Sequence, residues 1–335
     1  MKEAMFYMKA GEKTVCRLCP KTCVLNEGER GDCGVRKNIG SKLFSLNYGK
    51  IVAMHVDPIE KKPLFHFWPG SAVFSIAAPG CNLHCKFCQN WDISQVYEMP
   101  DWSVEPEQIV SLAMENGAQG IAYTYSEPTV FFEFAYETAR MARKNGLYNV
   151  WISNGMINPE PIKKLVRFID AANIDLKAFS DRFYRNIAGG TGLKPVLNAI
   201  REFHRHEVWL ELTTLLIPGE NDSPDEIGQL VNWVAELDRE IPLHFSRFHP
   251  AYRMADRQAT PAETIERAIR IADEKLDYVY AGNLWGNERE STYCPKCGFK
   301  VIERVGYGVK VNLDGNRCPK CGTEIKIVQN GKLRY

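Results

Sequence analysis

No apolar stretch in the 335-residue chain approaches the roughly 18 residues that a membrane-spanning helix needs, which argues against a bilayer-embedded protein. Met1 to Lys13 lacks an apolar core followed by a cleavage site, so no secretory leader is expected. Neither end carries a long basic run, and the formal net charge is +1, so a nucleic-acid-binding tail is not expected either. These absences leave a cytoplasmic globular protein as the expectation. Its hydrophobic fraction of 45% and charged fraction of 25% are ordinary for that class. The length suits one large α/β barrel with accessory segments.

Charge is unevenly spread. Residues 1–50 carry ten Lys/Arg against five Asp/Glu, and residues 294–335 carry nine against three. The intervening 51–293 hold twenty-three against thirty-three. Basic ends either meet an acidic partner or offset thiolate-rich metal centres, since a divalent ion bound by four thiolates is a net anion. The cysteines favour the second reading. There are eleven, and ten have at most three residues between them and another cysteine. In an unexported chain that clustering points to metal ligation rather than disulfides.

The cysteines fall into three sets. Cys81-Asn-Leu-His-Cys85-Lys-Phe-Cys88 follows an apolar run, Val73 to Pro79, and a glycine, Gly80. Three thiolates at this spacing hold three corners of a cubic iron–sulfur cluster. Full protein ligation takes four, so one iron would be open to a small chelating molecule. The alternative is a share in a zinc site. Cys16, Cys19, Cys23 and Cys33, spaced C-x2-C-x3-C-x9-C, suit either tetrahedral zinc or an iron–sulfur cluster. Cys294-Pro-Lys-Cys297-Gly and Cys318-Pro-Lys-Cys321-Gly are matching knuckles with twenty residues between them, the pattern of a four-thiolate zinc ribbon. A rubredoxin-type iron is the alternative there, and metal content with the visible spectrum separates the two.

From Val73 onward, short β-rich runs alternate with amphipathic segments of helical length. The runs are Val73–Pro79, Gly120–Tyr125, Asn149–Ser153, Ala171–Lys177, Val208–Ile217, Leu243–Phe248 and Asp277–Ala281. Helix starts are marked by Ser223-Pro-Asp-Glu226 and Thr260-Pro-Ala-Glu263, and a stop by Asn145-Gly146. This alternation predicts a parallel sheet with helical crossovers, without deciding between an open sheet and a closed barrel. Three units are expected: a cysteine-rich segment over 1–50, a core over 51–290 and a ribbon over 291–335. The proline-bounded stretch Asp57 to Gly70 is expected to be an ordered loop entering the core. Its His66, flanked by aromatics, is a candidate catalytic group whose more usual role is packing.

The C-x3-C-x2-C spacing, with Phe87 before the last cysteine, resembles the radical S-adenosylmethionine (SAM) superfamily. The run Pro-Gly-Cys-Asn-Leu-x-Cys-x-Phe-Cys-Gln-Asn-Trp occurs together with Ile93-Ser94-Gln95, the Asp57–Gly70 loop and the N-terminal four cysteines. That combination resembles the AmmeMemoRadiSam-system enzymes, relatives of the pyruvate formate-lyase activating enzymes, over about residues 16–285. The resemblance implies a partial (β/α)6 TIM-like barrel and a 4Fe–4S cluster on Cys81, Cys85 and Cys88, with SAM on the open iron. It places Ser126, Glu127, Ser153, Asn154, Asp175 and Lys177 at strand ends facing SAM, with Phe87 beside the cluster and His249 as a further candidate. One departure stands out: the run Trp209 to Gly219 lacks the arginine that holds SAM in pyruvate formate-lyase activating enzyme. The implied activity is reductive cleavage of SAM to a 5′-deoxyadenosyl radical that abstracts hydrogen from a substrate the motifs do not identify. The implied partners are a low-potential flavodoxin- or ferredoxin-type donor, and a protein substrate or companion proteins. A glycyl-radical-enzyme activase is the alternative enzyme reading, and a metal-bound scaffold for an acidic partner is the non-enzymatic one.

Overall fold

Mostly apolar runs, buried on both faces, build the central sheet of the computed structural model, which describes residues 1–95, 98–284 and 286–329. Its strands are β1 (Ala53–Pro58), β2 (Ala72–Ala77), β3 (Gly120–Tyr123), β4 (Tyr148–Ser153), β5 (Ala171–Asp175), β6 (Trp209–Leu216), β7 (Leu243–Arg247) and β8 (Val279–Gly282). They lie side by side in chain order, β2 to β8 parallel and β1 antiparallel on the outside of β2. All seven expected runs are therefore parallel strands, one more than the six of the implied barrel, and the sheet is open rather than closed. β1 is not among the expected runs. Its burial pattern explains this: three successive residues, Met54, His55 and Val56, are exposed.

Successive side chains face opposite sides of the sheet. Phe74, Ile76, Ile121, Trp151, Ala172 and Leu212 point to the layer of crossover helices. Val73, Ala122, Tyr148, Val150 and Ala171 point the other way and pack on Ile59, Leu64 and Phe67. The Asp57–Gly70 segment thus crosses the inner face as a packed strap. Pro63 accepts from Asn173 Nδ2 at 2.7 Å, and the amides of Phe65 and His66 donate to Glu211 at 2.9 and 2.8 Å.

Helices α1 (Pro106–Glu115), α2 (Phe132–Lys144), α3 (Pro159–Leu165), α4 (Lys194–Arg205), α5 (Pro224–Asp238) and α6 (Ala262–Asp273) join the parallel strands. Ser223 caps α5 by accepting from Glu226 N at 3.2 Å, and α2 stops at Asn145-Gly146, where Gly146 takes φ +77°. Thr260 departs from its expected capping role. Its hydroxyl accepts from Phe248 N at 3.1 Å and donates to Leu216 O at 2.6 Å, tying β6 to the end of β7. No helix among the described residues is long and apolar enough to cross a membrane.

Two small antiparallel sheets precede β1, one of Tyr7–Ala10, Lys13–Cys16 and Val24–Leu25, the other of Lys2–Glu3, Lys42–Ser45 and Arg36–Ile39. After β8 comes a three-stranded sheet, Thr292–Tyr293, Lys300–Val305 and Gly308–Val311. It rests against Phe65, Tyr278 and Tyr280.

Candidate active site

The loop after β2 carries Cys81, Cys85 and Cys88 to the end of the sheet where β3, β4 and β5 also finish. All three thiols line one cavity of about 510 Å³, whose lining also holds Ser126, Glu127, Ser153, Asn154, Asp175 and Lys177. Every strand-end residue expected to face SAM therefore shares one space with the three cysteines. Burial pushes the Cys85 thiol up to about 12 and Cys81 well above its ordinary value, so thiolates here need a cationic centre to stabilise them.

Each wall residue has a distinct setting. Glu127 is buried, and its carboxylate accepts from Thr129 N (2.9 Å) and Oγ1 (2.6 Å), Ser153 Oγ (2.8 Å) and Asn154 N (2.8 Å). It fastens the ends of β3 and β4 together. Burial still raises its pKa despite these donors. Asn154 Nδ2 lies 3.6 Å from Cys81 Sγ and donates to Asn82 Oδ1 at 3.0 Å. Ser126 Oγ donates to Ala78 O at 2.6 Å, holding the β3 end against the cysteine loop. Lys177 Nζ pairs with Asp175 at 2.7 Å and lies 5.7 Å from the centre of the Phe87 ring. Burial opposes its charge, but Asp175 and Cys85 outweigh burial and hold its pKa above the usual lysine value.

Three residues without a motif also line this cavity: Lys61, Lys62 and Tyr125. Asp57 on β1 accepts from both lysines at 2.7 Å and from the Tyr125 hydroxyl. Lys62 lies 4.3 Å from the Tyr125 ring centre, and burial brings its pKa down to about 8 although Asp57 opposes the shift. Tyr125 holds φ +62°, an unusual conformation for an aromatic residue, with Asn90 Nδ2 on its carbonyl at 2.8 Å. No residue of β6 lines this cavity, in keeping with the missing arginine, and among the described residues the cations lining it are Lys61, Lys62 and Lys177. Adjacent lysines in an irregular strap give no sequence signal for this; only the tertiary course of the strap puts them here.

The two histidine candidates lie elsewhere. His66 is fully buried under the ribbon, donating from Nδ1 to Lys326 O at 2.7 Å and accepting from the Tyr280 hydroxyl at Nε2. Burial brings its pKa down to about 4, so it is a neutral, satisfied core group. His249 is exposed just beyond β7 and lines neither the 510 Å³ cavity nor the neighbouring one. Sequence reasoning missed the buried pair within β6 and β7: His244 Nε2 donates to Glu211 at 2.7 Å. A glutamate in the middle of an apolar run was the available signal.

The neighbouring cavity, about 280 Å³, lies between the strap, the ends of β6–β8 and the ribbon. Lys61 lines both cavities, and Glu60, His244, Asn283, Arg304 and Tyr307 line the second.

The metal sets differ in geometry. The ribbon's Cys294, Cys297, Cys318 and Cys321 gather within 4.8 Å of one another, with sulfur–sulfur distances of 3.6 Å for Cys294–Cys321 and Cys297–Cys318. That fits a single tetrahedral zinc or iron. Among the described residues no other three thiol, imidazole or carboxylate ligands come so close. Cys81, Cys85 and Cys88 are thus set wider than one ion requires and open onto a large cavity, which fits a cluster with a molecule beyond it. The N-terminal four line a separate small cavity with Asn82 and Arg36.

A family model described as the Radical SAM superfamily matches residues 75–234. The chain is 48% identical over 336 residues to an uncharacterised protein of Methanocaldococcus jannaschii, covering 98% of this chain and 100% of that one. It is 22% identical over 221 residues to a pyruvate formate-lyase-activating enzyme of Staphylococcus aureus, covering 58% and 86%. Among solved structures, a radical SAM methyltransferase from Sphaerobacter thermophilus shares the fold at TM-score 0.50 and 17% identity, over 64% of this chain and 67% of that one.

Proposed function

Because the chain belongs to the radical SAM superfamily, whose members are enzymes that use a 4Fe–4S cluster and SAM, we propose that Cys81, Cys85 and Cys88 hold that cluster and that the 510 Å³ cavity receives SAM. When bound, these groups supply a 5′-deoxyadenosyl radical by one-electron cleavage of the sulfonium. The observation that carries the reading is the shared cavity: three wide-set thiols face the ends of β3, β4 and β5 across one space.

The chain's own residues then divide the work. Lys177, oriented by Asp175, and Lys62, oriented by Asp57, present cations to the SAM carboxylate in place of the absent β6 arginine. Glu127 keeps Ser153 and Asn154 in register with the cysteine loop, and Asn154 offers an amide next to Cys81. The strap and the ribbon keep water from the inner face. The electron comes from a low-potential donor of the flavodoxin or ferredoxin type.

The substrate is best placed in the adjoining 280 Å³ cavity, which meets the first at Lys61. Its size and its mix of Glu60, His244, Asn283 and Arg304 suit a small polar molecule. That puts the glycyl-radical activase reading second, since a peptide loop needs an open groove. The test is anaerobic formation of 5′-deoxyadenosine from SAM with a strong reductant. Wild type should form it and Cys85→Ala should not; equal formation by both would overturn the proposal.

A further inference from the structure

Two sets of four cysteines flank the core, and the chain supplies its own standards for judging them. Around one ion each metal–sulfur bond is about 2.3 Å, so tetrahedral geometry puts the sulfurs about 3.8 Å apart. The ribbon meets that at 3.6 Å. In a cubic cluster each thiolate binds a different iron, so sulfurs stand on the order of 6 Å apart. The Cys81–Cys85–Cys88 set, which in this family holds such a cluster, is wide in the same sense: its thiols do not gather within 4.8 Å.

The N-terminal cysteines follow the second standard. Cys16, Cys19, Cys23 and Cys33 line one cavity of about 20 Å³, yet no three of their sulfurs fall within 4.8 Å of one another. The void is larger than the hole a bare ion leaves between touching thiolates. Its other walls are Leu18, Val130, Thr129, Asn82 and Arg36. Arg36 is 2% exposed at this wall and is held there by its bidentate pair with Glu133 at 2.8 and 2.7 Å.

We propose that Cys16, Cys19, Cys23 and Cys33 hold a second 4Fe–4S cluster, fully ligated by the protein and adjacent to the first. Adjacency follows from shared residues. Asn82 walls the N-terminal cavity and accepts from Asn154, whose amide nitrogen lies 3.6 Å from Cys81 Sγ. Gly80, just before Cys81, adopts φ +101°, and a Cβ there would lie 2.7 Å from Val35 and 3.0 Å from the Cys33 carbonyl oxygen. His84 Nε2 donates to Asp32 at 2.8 Å from inside the cysteine loop. With all four irons ligated, the second cluster has no corner for SAM.

The inference uses the first cluster as a standard, so the test separates the two sites. The full chain is reconstituted anaerobically with iron and sulfide, and iron, acid-labile sulfide and zinc are counted. Wild type should hold about eight sulfides, four per cubic cluster. A Cys81→Ala, Cys85→Ala, Cys88→Ala variant should keep about four, and its reduced electron-spin-resonance signal should not respond to SAM. A Cys19→Ser, Cys23→Ser variant should also keep about four, with a signal that does respond. Four sulfides in wild type, none in the triple variant and a second zinc in both would overturn the proposal. If instead the triple variant matches wild type in sulfide, the first site fails and the second stands. Sulfide is decisive because a rubredoxin-type iron in the ribbon adds none.

Discussion

The two four-cysteine regions have the same number of ligands and opposite relations to the rest of the molecule. The ribbon's cysteines share a small apolar cluster with Val301, Ile302, Ile325 and Ile327, which takes in Phe65 of the strap and Tyr278 and Tyr280 at β8. The N-terminal set has no such private core. Cys16, Leu18, Leu25, Val35 and Leu43 belong to the same hydrophobic body as Leu83, Phe87 and the crossover helices. Its anchor is a buried bidentate pair, Arg36 to Glu133 on α2 at 2.8 and 2.7 Å. The ribbon cysteines thus sit in an apolar cluster of their own, whereas the N-terminal set shares the core that carries the Cys81 loop.

The sharpest way to break this contrast is to remove the ribbon metal. A Cys297→Ser, Cys321→Ser variant forfeits metal-binding energy on the order of 10 kcal/mol. Hydrogen exchange should become fast through the sheet Thr292–Val311 while β2 to β5 stay protected; loss of protection throughout would show that the ribbon is no module. Next in size, Arg36→Met leaves Glu133 buried and unpaired, which should lower anaerobic urea stability by about 3–5 kcal/mol. A loss below about 1 kcal/mol, as for a surface pair, would mean the N-terminal region is only loosely attached.

A pH dependence should mark the seat of the ribbon. His66 titrates at about 4 when folded, below its ordinary value near 6.5, because burial outweighs the favourable Glu211 and Lys326 carbonyl. The unfolded chain therefore takes up the proton first as pH falls. The contribution is complete above about pH 6.5 and shrinks toward pH 4, by at most about 3 kcal/mol. His66→Gln should flatten that slope relative to wild type in thermal unfolding; an unchanged slope would assign it to other groups. The smallest effect is the most local. Gly80→Ala should cost about 1–3 kcal/mol through strain and collision with Val35. Gly298→Ala in the ribbon, at φ +69° with open space around it, should cost about 1 kcal/mol. Equal costs at the two positions would remove the argument for close approach at Gly80.

Much of the sheet was readable before the structure, because parallel strands buried on both faces announce themselves as apolar runs between helical segments. The strand ends were where chemistry was to be sought, and Ser126, Glu127, Asn154 and Lys177 line the same cavity as the cysteines. What escaped was set by distant partners. Lys62 is a cation of the cavity only because Asp57, five residues back on β1, pairs with it beside Tyr125. Thr260 has the local sequence of a cap, but its hydroxyl is taken by Leu216 and Phe248, separated from it by 44 and 12 positions. His66 carries a catalytic residue type in a packed setting, and its distant partners, the Lys326 carbonyl and the Tyr280 hydroxyl, show it to be satisfied.

The strap that crosses the inner face gives Lys62 to one chamber, Glu60 to the other and Lys61 to both. Exchanges at Glu60, which lines the second chamber alone, would reshape what that chamber admits while leaving Lys62, the strands and the thiols in place. Relatives built on this plan are therefore free to diversify their choice of reactant along one short ribbon of backbone while inheriting the radical-generating apparatus intact.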